Sequence, residues 1–185
     1  VTRAEAGAVT GEARLLWLLR HAKAVPDPPS GGTDHDRPLA PRGRRDADAL
    51  GRRLGPGRDV FGLPAAGLPT LVLCSTAART TETAERVLAP WPPARRPALD
   101  RRRALYGASP EQVLEVLATV ADDVASVMVV GHNPTAHALA SMLPSGGADQ
   151  DFPTCGLAVL GFEIQRWEDV AEGTASELGR FAPPY

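Results

Sequence analysis

The chain has 185 residues, 43% apolar and 23% charged, with a formal charge of −2. That length suits one domain with a substantial core, and the composition is that of a folded chain. The charge excludes a global basic footprint for nucleic acid, no apolar run reaches the length of a membrane span, and Cys74 and Cys155 are too few for a disulfide framework.

A reduced, cytoplasmic protein is the expectation, with no nucleic-acid or membrane partner. Arginine outnumbers lysine nineteen to one, Lys23 being the single lysine, which reads as the coding bias of a GC-rich genome. An arginine is therefore informative only where its neighbours give it a task. The clusters Arg42-Arg44-Arg45 and Arg101-Arg102-Arg103 read as solvated faces.

Residues 1–14 mix charges with Ala and Gly and lack the apolar centre of a secretory signal. They read as a flexible lead-in to a single domain, 15–185. Leu15–Leu19 is an unbroken apolar run, a buried strand ending in Arg20-His21. A Pro/Gly loop follows and closes with Asp34-His35-Asp36-Arg37-Pro38.

Pro41–Leu54 has helical periodicity, with Ala47, Leu50 and Leu54 on one face, and stops at Gly55-Pro56-Gly57. Residues 58–69 carry no clear signal. Leu71–Cys74 is a second buried strand, with Ser75-Thr76 as helix N-cap residues and a helix over about 77–88. Arg96–Leu99 suits a short edge strand.

Ser109-Pro110-Glu111-Gln112 opens another helix as cap, first-turn proline and acidic first turn. Val127–Val130 is a third buried strand, running into Gly131-His132-Asn133-Pro134 and a helix to about Leu143. Leu157–Phe162 is a later strand, and 175–182 a candidate last one. Alternating strands and helices predict an α/β fold, a mainly parallel sheet covered on both faces.

In such a sheet the three buried strands end on one edge. Arg20, His21, Arg79 and His132 would then converge, and two Arg with two His describe an anion site. Helix starts at Ser75-Thr76 and Asn133 would add backbone N–H groups.

The segments Leu-Leu-Arg-His-Ala, Ser-Thr-Ala-Ala-Arg-Thr-Thr-Glu-Thr-Ala and Val-Gly-His-Asn-Pro, in this order, resemble the signatures of the histidine phosphatase superfamily. Arg-His-Ala, the Asp36-Arg37-Pro38-Leu39 … Gly43 segment and the short chain are most similar to the small phosphohistidine phosphatases. The resemblance covers about 15–162.

It implies a three-layer αβα sandwich of the phosphoglycerate-mutase type and a metal-independent phosphatase needing no cofactor. His21 would be the nucleophile, its ring held neutral in one tautomer by a hydrogen bond to a backbone carbonyl. Arg20, Arg79 and His132 would hold the phosphoryl oxygens, His132 as a protonated donor, with Asn133 and Arg37 as further substrate-binding candidates. Arg37 equally suits a loop brace.

Related enzymes place a carboxylic acid after the third strand. Here Asp100 and Glu111 are the only candidates, and Glu111 reads better as a first-turn residue. That favours phosphohistidine over alkyl phosphates. The partner is then a phosphorylated protein or a small phosphorylated metabolite. A broad phosphomonoesterase and a phosphate-binding module without turnover are the alternatives, and the oligomeric state stays open.

Three other motifs point elsewhere. Cys74 and Arg79 lack the spacing and glycines of a Cys-based phosphatase loop, Asp34-His35-Asp36 lacks a second metal-ligand group, and His137 reads as a packed or surface histidine.

Overall fold

The structure, a computed structural model, describes residues 13–184 apart from Pro56 and Ala148. The predicted lead-in therefore falls outside the described residues as far as position 12. Its last residue, Arg14, opens the first strand. Arg14 is buried, and its guanidinium donates to the carbonyls of Val124 at 3.0 Å, Asp122 at 2.8 Å and Gln165. A buried cation is tolerable only when its N–H groups find acceptors in this way.

Six strands form one sheet: β1 (Arg14–Arg20), β2 (Leu71–Ser75), β3 (Ala98–Arg102), β4 (Ser126–Gly131), β5 (Leu157–Phe162) and β6 (Ser176–Phe181). Their spatial order is β3-β2-β4-β1-β5-β6. β3, β2, β4 and β1 run parallel, while β5 and β6 add antiparallel. Four helices cover the faces: α1 (Pro41–Leu54), α2 (Ala78–Leu88), α3 (Pro110–Ala118) and α4 (Thr135–Met142).

Alternation along the strands divides the core in two. Leu15, Trp17 and Leu19 of β1 face the layer with Ala47 and Leu50 of α1 and Val87 of α2. Leu16 and Leu18 face the layer with Val113 and Leu117 of α3 and Leu139 of α4. β1 is buried along its length because it lies inside the sheet with both faces covered.

The element boundaries follow local chemistry. α3 has a capping box: Ser109 Oγ accepts from the Gln112 N–H at 3.3 Å and Gln112 Oε1 from the Ser109 N–H at 2.9 Å. α1 packs so close to the segment after β1 that a Cβ on Gly43 would stand 2.1 Å from the Lys23 carbonyl oxygen. β3 sits on the sheet edge as expected, but runs to Arg102.

One expected cap differs. Ser75 is the last residue of β2, and α2 starts at Ala78 with no side-chain cap. Thr80 Oγ1 turns back instead, to the carbonyls of Ser75 and Ala77, each at 2.8 Å. The Ser75 hydroxyl is thereby left for another partner.

Candidate active site

The carboxyl ends of β2, β4 and β1 are neighbours, so the segments after them share one edge of the sheet. The His21 N–H donates to Gly131 O and its carbonyl accepts from the Cys155 N–H, both at 3.0 Å. The His21 ring Nδ1 lies 2.8 Å from Ala22 O. A carbonyl only accepts, so this contact assigns the proton to Nδ1 and leaves the Nε2 lone pair free.

Ala22 is itself fixed from α2. Its N–H donates to Thr83 Oγ1 at 3.0 Å, and that hydroxyl donates to Arg79 O at 2.6 Å. The same helix turn thus orients the carbonyl that selects the tautomer and carries the arginine of the site. Burial, with smaller contributions from the charges of Arg79, Arg20 and Arg37, pushes the His21 pKa down to about 4, against the opposing pull of the Ala22 contact. The ring is neutral at pH 7.

His132 follows β4, its ring centroid 5.3 Å from that of His21. Its Nε2 lies 2.8 Å from Ser75 Oγ. Its Nδ1 is buried without a partner among the described residues. Burial, then the neighbouring His21 and Arg79, push its pKa down to about 3. The protonated His132 expected from sequence therefore requires a bound dianion, and the unliganded ring is neutral.

Arg79 is 7% exposed. Its Nη1 donates to Asp34 O at 2.6 Å and its Nη2 to Asp34 Oδ2 at 2.9 Å. Asp34 also accepts from Arg37 Nη1 at 2.7 Å and from the Tyr106 hydroxyl at 2.9 Å. The Arg37 hydrogen bond foremost, helped by Tyr106 and Arg79, holds the Asp34 carboxyl well below the usual carboxylate range against the effect of burial. Arg20 Nη1 donates to Phe152 O at 2.8 Å, and its Nε is buried without a partner among the described residues.

The structure thus gathers His21, His132, Arg20 and Arg79 at one edge. Asn133 stands beside them, its Nδ2 donating to Phe152 O at 3.1 Å. It is not a cap: α4 starts at Thr135 after Pro134. Arg37 braces the loop through Val25 O at 2.9 Å and through Asp34, with its charge still felt at His21.

Sequence reasoning missed Ser75, Asp34, His35 and Tyr106. Tyr106 stands edge-on to both His35 and His132, at 4.8 and 5.6 Å between centroids. Asp34, His35 and Tyr106 lie in the loops after β1 and β3 and Ser75 ends β2, so no local sequence pattern marks them for the site.

Neither acid candidate reaches this cluster. Asp100 accepts from Arg102 Nε at 2.7 Å, and Glu111 from the Ser109 hydroxyl at 2.6 Å. Burial pushes the Cys74 thiol up to about 12, which removes it as a nucleophile. His137 is a surface histidine, 2.6 Å from Asp149 Oδ1. Among the described residues no group of three or more His, Cys, Asp or Glu is placed to hold a metal ion. No helix among them is long and apolar enough to cross a membrane.

Against this geometry the comparisons agree. Residues 16–105 match the family described as the histidine phosphatase superfamily, branch 1. An uncharacterised protein of Mycobacterium tuberculosis is 40% identical over 178 residues, 89% of this chain and 99% of that one. The structure of a provisionally assigned phosphohistidine phosphatase SixA from Nakamurella multipartitia superposes with a TM-score of 0.76 at 33% identity, covering 95% of this chain and 99% of that one. A protein of the same provisional assignment from Agrobacterium tumefaciens gives 0.68 at 31%, covering 92% and 98%.

The chain belongs to the histidine phosphatase superfamily, with the α/β fold of the phosphoglycerate-mutase type, and it resembles the SixA phosphohistidine phosphatases. It is a phosphatase by family, and its substrate carries a phosphoryl group.

Proposed function

We propose that this protein is a metal-independent phosphohistidine phosphatase working through a covalent intermediate on His21, with protein phosphohistidine as substrate. The observation that carries the reading is the His21 Nδ1 contact to Ala22 O at 2.8 Å, which leaves Nε2 as a neutral nucleophile at an edge lined with guanidinium groups. Nε2 attacks phosphorus, a P–N bond forms, and the bond to the leaving group breaks with its electron pair on the leaving atom, which takes a proton from solvent. Water then attacks the phosphohistidine, the P–N bond breaks, and inorganic phosphate leaves as the water proton passes to solvent.

Arg20 and Arg79 offset the charge on the transferring group. The Asp34 contacts take Nη1 and Nη2 of Arg79, and no acceptor is bonded to its Nε among the described residues. Ser75 donating to His132 Nε2 would place the His132 proton on the buried, unpartnered Nδ1 with no full charge on the ring. Asn133 assists beside it, and Arg37 acts chiefly through Asp34.

Asp100 and Glu111, engaged with Arg102 and Ser109, supply no proton donor at the site, which supports a leaving group that departs without strong protonation. Asp34, the carboxylate at the site, stays ionised, which disfavours it as a proton donor. A phosphoramidate nitrogen or a phenolate meets that condition better than an alkoxide. The buried Cys74 thiol suits a reduced cytoplasm.

A substrate panel tests the reading. Wild-type protein should release phosphate from a phosphohistidine protein with higher kcat/KM than from sugar or nucleotide phosphates, and His21→Ala should do neither. Fast sugar-phosphate turnover with an inert phosphohistidine protein would replace this substrate with a small metabolite.

A further inference from the structure

Beside the phosphate site, on the face of the sheet covered by α3 and α4, lies a cavity of about 380 Å³. Its walls include Leu18, Leu105, Ala108, Val113, Val129 and Leu139, and among the described residues no Asp, Glu, Lys or Arg side chain lines it. Close-packed interiors hold few voids above the size of a water molecule, whereas cavities of several hundred cubic ångströms are typical of ligand sites. His132 and Asn133 line this cavity as well as flanking the phosphate site, so the two spaces share a wall.

Hydrogen-bond accounting defines what the cavity can accept. At its rim the Ser109 hydroxyl is engaged with Glu111 and the Gln112 N–H, and Gln112 Oε1 accepts from the Ser109 N–H. The Thr135 hydroxyl donates to Ala108 O at 2.5 Å. The exceptions among the buried side-chain atoms are Asn133 Oδ1, able to accept a hydrogen bond, and His132 Nδ1, both without a partner among the described residues. A sugar would bring several hydroxyls into this space and leave them unpaired, which is costly.

Gly131, at the end of β4, also lines the space, and a Cβ added there would meet no atom within 4 Å. The strand therefore leaves open the position where a side chain would project beside Val129.

We propose that this cavity receives the apolar organic group of a small phosphate monoester, an aryl ester with alkyl substituents, whose phosphoryl group sits at His21. This rests on the phosphatase reading and adds a second, small-molecule substrate class. His132 lines the cavity and its ring centroid lies 5.3 Å from that of His21, so a ligand occupying both spaces would pass beside His132. The missing acid fits as well, since a phenolate leaves without protonation.

The test is kcat/KM for phenyl phosphate and its 4-methyl, 4-propyl and 4-butyl derivatives, whose leaving groups differ little in pKa. The proposal expects kcat/KM to rise about three- to fourfold per added methylene until the cavity is full. Val113→Trp, which fills the cavity from α3 without touching the phosphate site, should flatten that rise while phenyl phosphate turnover persists. Ala108→Leu is the second variant should Val113→Trp fail to fold. Inhibition by the matching 4-alkylphenols, strengthening along the series, checks the cavity in the wild-type protein alone.

A flat series in the wild type, with phenyl phosphate still hydrolysed in a His21-dependent way, overturns the cavity proposal and leaves the phosphatase reading standing. An equal rise in wild type and both variants also overturns it. If phenyl phosphate turns over no faster than with His21→Ala while a phosphohistidine protein is still hydrolysed, the cavity proposal fails and the phosphatase reading stands; if neither is hydrolysed, both fail.

Discussion

His21 is held by contacts that make one ring nitrogen a nucleophile. Its pKa, pushed down to about 4 by burial first, keeps the ring neutral through the physiological range. The acid limb of kcat/KM, corrected for substrate ionisation, should therefore fall near pH 4 and not near the ordinary histidine value of 6.5. His132→Ala should lower kcat by roughly 10²–10³, the usual consequence of losing one oxyanion donor, with the fold unchanged by circular dichroism. Asp34→Asn weakens the anchor of Arg79 and should reduce kcat/KM by roughly tenfold, an estimate based on a charge-assisted hydrogen bond becoming a neutral one. A wild-type value would mean that the geometry of Arg79 is set elsewhere.

At the scale of the elements, the three residues that follow β1 are as important as the strand. α1 lies against them through Gly43, where an added Cβ would come within 2.1 Å of Lys23 O. Gly43→Ala should cost about 1–3 kcal/mol, the range for overpacking, measured by urea unfolding. Turnover should also fall, because Lys23 is two residues from His21.

The elements also show what a sequence can disclose. β1, α1 and α3 were legible because their signals are local: an apolar run, a helical face, a Ser-Pro-Glu-Gln start. The sequence ends the edge strand at Leu99 because Arg101-Arg102-Arg103 reads as a solvated face, yet the strand pairs with β2 as far as Arg102. Ser before a helix start usually caps it, and that rule alone makes Ser75 a cap in the sequence. Its hydroxyl instead meets His132, 57 residues away, a contact that only the adjacency of β2 and β4 creates. Asp34 and Tyr106, 72 residues apart, meet through loops whose course has no local code. The residues at strand ends could be found by topology, and those on the rim could not.

Across the whole molecule, the site and stability are linked through protons. His21 and His132 have pKa values of about 4 and about 3, below the ordinary 6.5. Between those values and 6.5 the unfolded chain binds protons that the folded chain excludes, so stability falls as pH drops through that window and is at its plateau above it. The melting temperature should therefore decline between pH 6.5 and 4, and the decline should be shallower in a His21→Gln, His132→Gln double variant. An identical decline in the variant would place the acid sensitivity in other groups.

The central claim is that the phosphoryl group passes through His21. The direct measurement is rapid quenching during turnover of a radiolabelled aryl phosphate, followed by mapping of the labelled peptide. The account predicts an acid-labile, base-stable label on the peptide containing His21, absent from His21→Ala. Label on another residue, or full turnover by His21→Ala, would contradict it.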